Sequence, residues 1–191
     1  MKTVIFLLSF FCCLPLNTIL AAERVESVQA DFVQEKNMAI LARPLLSTGR
    51  FLFQAPDSLR WEYFTPLHSI LLMDHGQIRK FVEKDAAFVE EKGMGLNAMQ
   101  VVMQEITGWL DGKITDTDTF LAKQVGARQI ILTPRDKTLA GIIDHIELKL
   151  LDTSGLMESV TIFEGEKSFT KMSFSDAKLN EQIPEIRFRK P

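Results

Sequence analysis

The feature that most constrains this chain is a two-residue alternation of apolar and polar side chains, repeated along most of its length and punctuated by turn residues. In Leu59-Arg60-Trp61-Glu62-Tyr63, three large apolar groups share one face and Arg60 and Glu62 take the other. Gly49 to Gln54 sets Phe51 and Phe53 against Arg50 and Gln54, and Asp144 to Leu151 sets Ile146, Leu148 and Leu150 against His145, Glu147 and Lys149. Successive side chains of a strand point to opposite faces, so each segment predicts a strand with one greasy side. Ser69 to Met73 is a continuous apolar run, and Ile78 to Val82, Arg128 to Thr133, Leu156 to Glu164 and Lys167 to Ser175 read as further strands. Ala55-Pro56-Asp57-Ser58, Asp74-His75-Gly76 and Asp152-Thr153-Ser154-Gly155 supply the turns, since proline presets one backbone angle and Asp or Ser bonds back to the chain. The pattern predicts a mainly β, antiparallel fold of roughly nine strands in a single unit.

One segment follows a different period. From Leu96 to Leu110 the apolar positions Leu96, Met99, Val102, Met103, Ile106, Trp109 and Leu110 recur at intervals of mostly three and four, one face of an amphipathic helix. Gly93 and Gly95 precede it and Asp111-Gly112 stops it. A sheet of this size curls, and a barrel closed or half-closed in this length can be filled or can hold a ligand. Phe51, Phe53, Leu59, Trp61, Tyr63, Leu148 and Ile162 are predicted to face inward, with Met99, Met103 and Ile106 on the apolar side of the helix. Methionine repacks around varied apolar shapes, which suits a variable occupant. Periodicity by itself does not separate a filled core from a cavity.

The first residues predict export. Lys2 begins a short basic region, Val4 to Leu16 is apolar, and Leu20-Ala21-Ala22 offers small residues ahead of Glu23 and Arg24. That order is a secretory signal, with cleavage expected after Ala22. A retained membrane anchor is the alternative, but Pro15 and Asn17 interrupt the apolar run short of the roughly 20 residues a spanning helix needs. Cys12 and Cys13, the only two cysteines, would leave with the signal. The mature domain, Glu23 to Pro191, must then be held by its core alone. Losing Lys2 leaves it one unit more acidic than the −3 of the full chain, with no polybasic patch, which counts against nucleic acid as a partner.

Residues suited to chemistry are sparse. His68, His75 and His145 lie on different segments, and His145, Glu147 and Lys149 read as a solvated stripe rather than a metal site. Asp111, Asp116 and Asp118 lack the spacing of a calcium loop. The chain carries no Gly-x-Ser-x-Gly elbow, no His-Glu-x-x-His helix and no phosphate-cradling glycine loop. The expectation is a non-enzyme with no cofactor and no metal. A hydrolase is the weaker reading, with Asp74 and His75 as its pair.

Several pieces in order resemble the periplasmic outer-membrane lipoprotein carriers of the LolA type. They are Ala30-Asp31-Phe32-Val33-Gln34-Glu35-Lys36, Ser47-x-Gly49-x-Phe51, Pro56, Leu59 to Tyr63, Pro66, Asp74-His75-Gly76, Ile131-Leu132-Thr133-Pro134, and Asn180 through Phe188. The resemblance implies an incomplete antiparallel barrel of nine to eleven strands with a helical lid, in the periplasm. It implies acyl cargo held against Phe51, Phe53, Leu59, Trp61, Tyr63, Met99, Met103, Ile106, Leu148 and Ile162. Its implied partners are a lipidated protein or lipid as cargo, an inner-membrane transporter as donor and an outer-membrane acceptor, with the carrier itself a monomer. Ala55 stands where such carriers place a lid-latching arginine, and the chain has little room for their N-terminal helix. A filled barrel acting as an accessory module of a membrane exporter is the competing reading.

Overall fold

The computed structural model describes residues 25–92, 105–106, 108–109, 114–151, 156–165 and 167–191. Its eleven strands are β1 (Ser27–Asn37), β2 (Leu45–Gln54), β3 (Ser58–Thr65), β4 (Ser69–Asp74), β5 (Gln77–Lys84), β6 (Ala87–Glu91), β7 (Phe120–Gln124), β8 (Gln129–Pro134), β9 (His145–Leu150), β10 (Met157–Phe163) and β11 (Phe169–Leu179). Among the described residues two short helices are complete, α1 (Lys137–Ala140) and α2 (Ile186–Arg189). The strands form one sheet in the order β6-β5-β4-β3-β2-β1-β11-β10-β9-β8-β7. Chain neighbours pair as antiparallel hairpins, and β1 meets β11 to join the two arms. The sheet stays open, with β6 and β7 as its edges.

Both edge strands were invisible to the alternation because each is largely exposed and lacks a clean apolar face. Helical geometry appears at Glu105, Ile106, Gly108 and Trp109, inside the segment whose spacing predicts a helix. The rest of that segment, Met99 and Met103 included, lies outside the described residues.

The sheet curls around one core. Phe51 and Phe53 of β2, Leu59 and Trp61 of β3, Ile146 and Leu148 of β9, and Val160 of β10 belong to a single buried cluster with Trp109. β3 and β9 are five ladder steps apart in the sheet, so only strong curvature lets their side chains share an interior. Part of the curvature is set at Gly49. The β2–β3 register shifts there, and a Cβ at Gly49 would stand 2.1 Å from the Glu62 carbonyl oxygen and 2.5 Å from Cζ of Phe32. Phe32, opposite Gly49 across the ladder, lays its ring in the space glycine leaves.

Among the described residues, the outer face is covered on one arm only. After β11 the chain turns at Asn180, whose side-chain Oδ1 accepts from the Glu26 backbone N–H at 2.8 Å. The final segment then crosses the back of β2, β3 and β4, and Ile183 and Phe188 bury against Leu52. Arg60 and Glu62, which alternation places away from the greasy face, are therefore buried beneath this strap rather than solvated.

Candidate functional site

Inside the curl lies an apolar cavity of about 50 Å³. One wall is Val28 and Ala30 of β1, Phe51 of β2 and Trp61 of β3. The opposite wall is Ile146 of β9, Val160 and Ile162 of β10, and Met172 and Phe174 of β11, with Ile106 and Trp109 of the helical segment against it. No charged side chain lines it among the described residues. These lining groups occupy alternate positions of their strands, as the two-residue period requires.

The aromatic wall is held by edge-to-face contacts. Phe51 meets Trp61 at 5.5 Å between centroids and 87° between planes, and Phe32 meets Trp61 at 5.7 Å and Tyr63 at 5.2 Å. Such contacts fix ring orientation beyond what area burial gives. Trp61 is 7 % exposed, and its indole Nε1 makes no hydrogen bond of good geometry among the described residues, the Tyr63 hydroxyl being its nearest polar influence. A buried donor left in that state costs about 1–3 kcal/mol. Tyr63 is anchored instead, with its hydroxyl 2.8 Å from Gln34 Oε1. Burial pushes the Tyr63 hydroxyl up to about 12, with the neighbouring Trp61 indole pulling the other way.

The residues singled out from the sequence separate into three groups. Phe51, Trp61, Ile106 and Ile162 line the cavity. Phe53, Leu59 and Leu148 lie in the same buried cluster behind the lining, and Tyr63 packs against its rim. Met99 and Met103 lie outside the described residues. Several lining residues were not singled out as contacts, among them Val28, Ala30, Met157 and Ala177. Small or short side chains at the ends of strands carry little signal in a periodicity, although Ala30 belongs to a segment the resemblance includes.

The histidines serve local roles. His75 sits at a hairpin turn with φ of 50°, its Nδ1 2.8 Å from Asp74 Oδ1. His145 stacks on Phe163 at 4.2 Å, with Asp144 at 2.7 Å. His68 places its two ring nitrogens 3.0 Å from Glu62 Oε1 and 2.8 Å from Glu83 Oε2. Hydrogen bonding to Glu62, and secondarily to Glu83, raises the His68 pKa above its ordinary value. Burial pushes Glu62 upward, but hydrogen bonds from Arg60 and His68 outweigh it and hold that carboxyl below its usual range. The group lies on the outer face, away from the cavity.

Comparison with known proteins places the chain. The profile described as "Outer membrane lipoprotein carrier protein LolA" matches residues 23–190. No curated protein matches the sequence. Among solved structures, a chain of the MucA/MucB complex of Pseudomonas aeruginosa is similar with a TM-score of 0.51 at 14% identity, over 86% of this chain and 56% of that one. A DUF1329 family protein from Desulfovibrio piger aligns with a TM-score of 0.48 at 11% identity, covering 87% of this chain and 91% of its own. A LolA superfamily protein from Nitrosomonas europaea aligns with a TM-score of 0.42 at 12% identity, covering 86% and 90%.

Proposed function

This chain belongs to the LolA family of outer membrane lipoprotein carrier proteins, and on that premise we propose that it shelters the acyl chains of a lipoprotein, or of another lipid, during transfer towards the outer membrane. The observation that carries the reading is a cavity with no charged lining group among the described residues, enclosed between a curled sheet and the helical residues Ile106 and Trp109. Burying a methylene is worth about 0.8 kcal/mol, so an acyl chain enters such a place by transfer from water alone and no bond needs to be made or broken. The role is therefore that of a carrier rather than an enzyme. Cargo contacts are Phe51, Trp61, Ile106 and Ile162, backed by Phe53, Leu59, Tyr63 and Leu148, with Met99 and Met103 contributing from the lid. Export with cleavage after Ala22 and a single domain from Glu23 to Pro191 complete the proposal, with a membrane transporter as donor and an outer-membrane acceptor.

The cavity is closed down. A volume of about 50 Å³ admits only a few water-sized groups, far below the few hundred Å³ of an ordinary ligand site. Loading then requires Ile106 and Trp109 to part from the sheet. The same small volume favours the competing reading, a filled module that binds another protein and no lipid.

Trp61 and Trp109 are the only tryptophans and both line the cavity, so intrinsic fluorescence reports on it alone. The decisive experiment adds a diacylated-cysteine peptide to the mature protein and follows native mass and tryptophan emission together. A stoichiometric adduct with a shifted emission is expected. Ile106→Asp, at a half-buried lid position, abolishes the adduct while the far-ultraviolet circular dichroism keeps its β signature; Trp61→Glu serves as the second variant. An unchanged apo mass with unchanged emission would overturn the carrier reading in favour of the filled module.

A further inference from the structure

On the face opposite the cavity, the arm formed by β8 to β11 carries a polar depression of about 390 Å³. It is lined by Arg128, Lys149, Lys171, Glu147 and the hydroxyls of Ser159 and Thr161, among others. The ladder register explains the cluster. Lys149 pairs with Ser159, and in the next row Glu147 pairs with Thr161, which pairs with Lys171. Their strand neighbours Ile146, Val160, Ile162 and Met172 face the apolar cavity, so alternation forces this set outward together.

Three observations mark the depression as more than a solvated stripe. Ser159 is only 8 % exposed and yet lines it, so a hydroxyl is held on the floor rather than on a free surface. Lys171 makes no ion pair with another described residue, leaving its ammonium available. The cations also converge: a hydrogen bond from Lys149, joined by the charges of Lys149, Arg128 and Lys171, lowers the pKa of Glu158 beside them. Arg128 spends one N–H on the Leu151 carbonyl at 2.8 Å, which orients the guanidinium and leaves its other donors unpaired among the described residues. Two carboxylates stand against these cations: Glu158, which pairs with Lys149 at 2.6 Å, and Glu147 of the lining, which lies 3.6 Å from the His145 ring.

We infer that this depression binds a phosphorylated headgroup that also carries an ammonium, with phosphoethanolamine as the simplest member of the class. Lys171 and Arg128 take the phosphate oxygens, with Ser159 and Thr161 donating from the floor and Lys149 adding an N–H that its pairing with Glu158 leaves over, because charge-assisted bonds to an oxyanion are the strong ones. Glu147 takes the ammonium. In the ladder Glu147 and Lys171 stand two strand spacings apart, roughly 10 Å, with Thr161 between them, which leaves room for one small zwitterion. A bare anion meets Glu147 as a repulsive group, so the site discriminates by charge pattern as well as by size. This inference does not depend on the cavity being loaded.

The test titrates the mature protein with O-phosphoethanolamine and, separately, with inorganic phosphate, following backbone amide resonances. Saturable shifts at residues 147, 149, 159, 161 and 171 are expected with O-phosphoethanolamine. Lys171→Glu weakens that binding about tenfold or more. Glu147→Gln weakens O-phosphoethanolamine but leaves inorganic phosphate as tight or tighter. Shifts that never saturate, or that survive Lys171→Glu unchanged, would overturn the site as simple charge screening. Equal response of both ligands to Glu147→Gln would overturn the zwitterion assignment. Co-sedimentation with phosphatidylethanolamine vesicles then identifies the source: Lys171-dependent pelleting points to a lipid headgroup, and soluble binding without pelleting points to the free phosphorylated amine.

Discussion

The two arms of the sheet are built from the same kind of hairpins and end up in different environments. On the arm of β2 to β5, strand β4 buries Ile70, Leu71, Leu72 and Met73 in succession, because the cavity side takes alternate residues and the C-terminal strap and its neighbours cover the rest. On the arm of β8 to β10, strand β9 alternates: Ile146 and Leu148 are buried while Glu147 and Lys149 meet water. The difference was written in composition as a continuous apolar run against a strict alternation, the signatures of strands covered on two faces and on one. What covers the first arm, however, is a segment more than a hundred residues away in the chain. The consequence is that one arm carries a buried ionic network and the other an open polar depression.

Breaking the covered arm at its anchor gives the largest effect. Arg60 is 5 % exposed; its Nε donates to Glu62 Oε2 at 2.8 Å and its Nη1 to the Arg187 and Lys190 carbonyls at 3.1 and 2.8 Å. Arg60→Met leaves Glu62 buried without its principal partner and frees the strap. The expected loss is about 3–5 kcal/mol in chemical denaturation, with faster hydrogen exchange at Leu52 and Leu72. Unchanged exchange there would show that Ile183 and Phe188 hold the strap without the arginine.

Gly49→Ala comes next. The added Cβ meets the Glu62 carbonyl, which is backbone and unable to yield easily. A destabilisation of about 1–3 kcal/mol is expected, with altered emission because Phe32 packs against Trp61. A stable variant with native emission would mean that the β2–β3 bulge relaxes.

The His68 network sharpens the comparison through pH. His68 has a raised folded pKa, so its stabilisation is fully present below the unfolded value of 6.5 and is lost as pH rises through the folded value. Glu62 has a lowered folded pKa, so its contribution is present above the unfolded value of 4.5 and is lost as pH falls. The covered arm is held best between these limits. The expected pH effect is below about 1 kcal/mol, since the imidazole is partly exposed. His68→Gln flattens the decline on the alkaline side, read from melting temperature against pH; an unaltered slope would assign it to another group.

The smallest effect belongs to the open arm. Lys149 pairs with Glu158 at 2.6 Å at an exposed position, and Lys149→Ala is expected to change stability by no more than about 0.5 kcal/mol. A larger loss would mean that the polar depression is a structural element rather than a surface available to a ligand.

How much could be read beforehand differs in the same way across the molecule. The strands containing Trp61 and Ile146 were legible because each alternates over at least five residues, whereas the strand of Phe51 breaks its alternation at Leu52, which lies under the strap. Phe51, Trp61 and Ile162 were placed inward by the strand period and Ile106 by the helical spacing, and all four line one cavity, while Phe53, Leu59 and Leu148 share the strand period and lie in the packed cluster behind it. Periodicity assigns a face and says nothing of depth along the curl. The edge strands β6 and β7 escaped because they bury little, and Arg60 and Glu62 read as solvent-facing because nothing local announces a strap.

The sequence by itself determined most of the strands, their two faces, most of their turns and the family to which the chain belongs, because each of these is written in residues near one another in the chain. Tertiary structure alone decided which inward residues meet across the curl, how little volume they leave, and that Arg60 and Glu62 are covered while Lys149 and Lys171 are open. The physical reason is that curvature accumulates over five ladder steps between β3 and β9, and burial of the outer face depends on where the distant C-terminal segment finds apolar surface to cover.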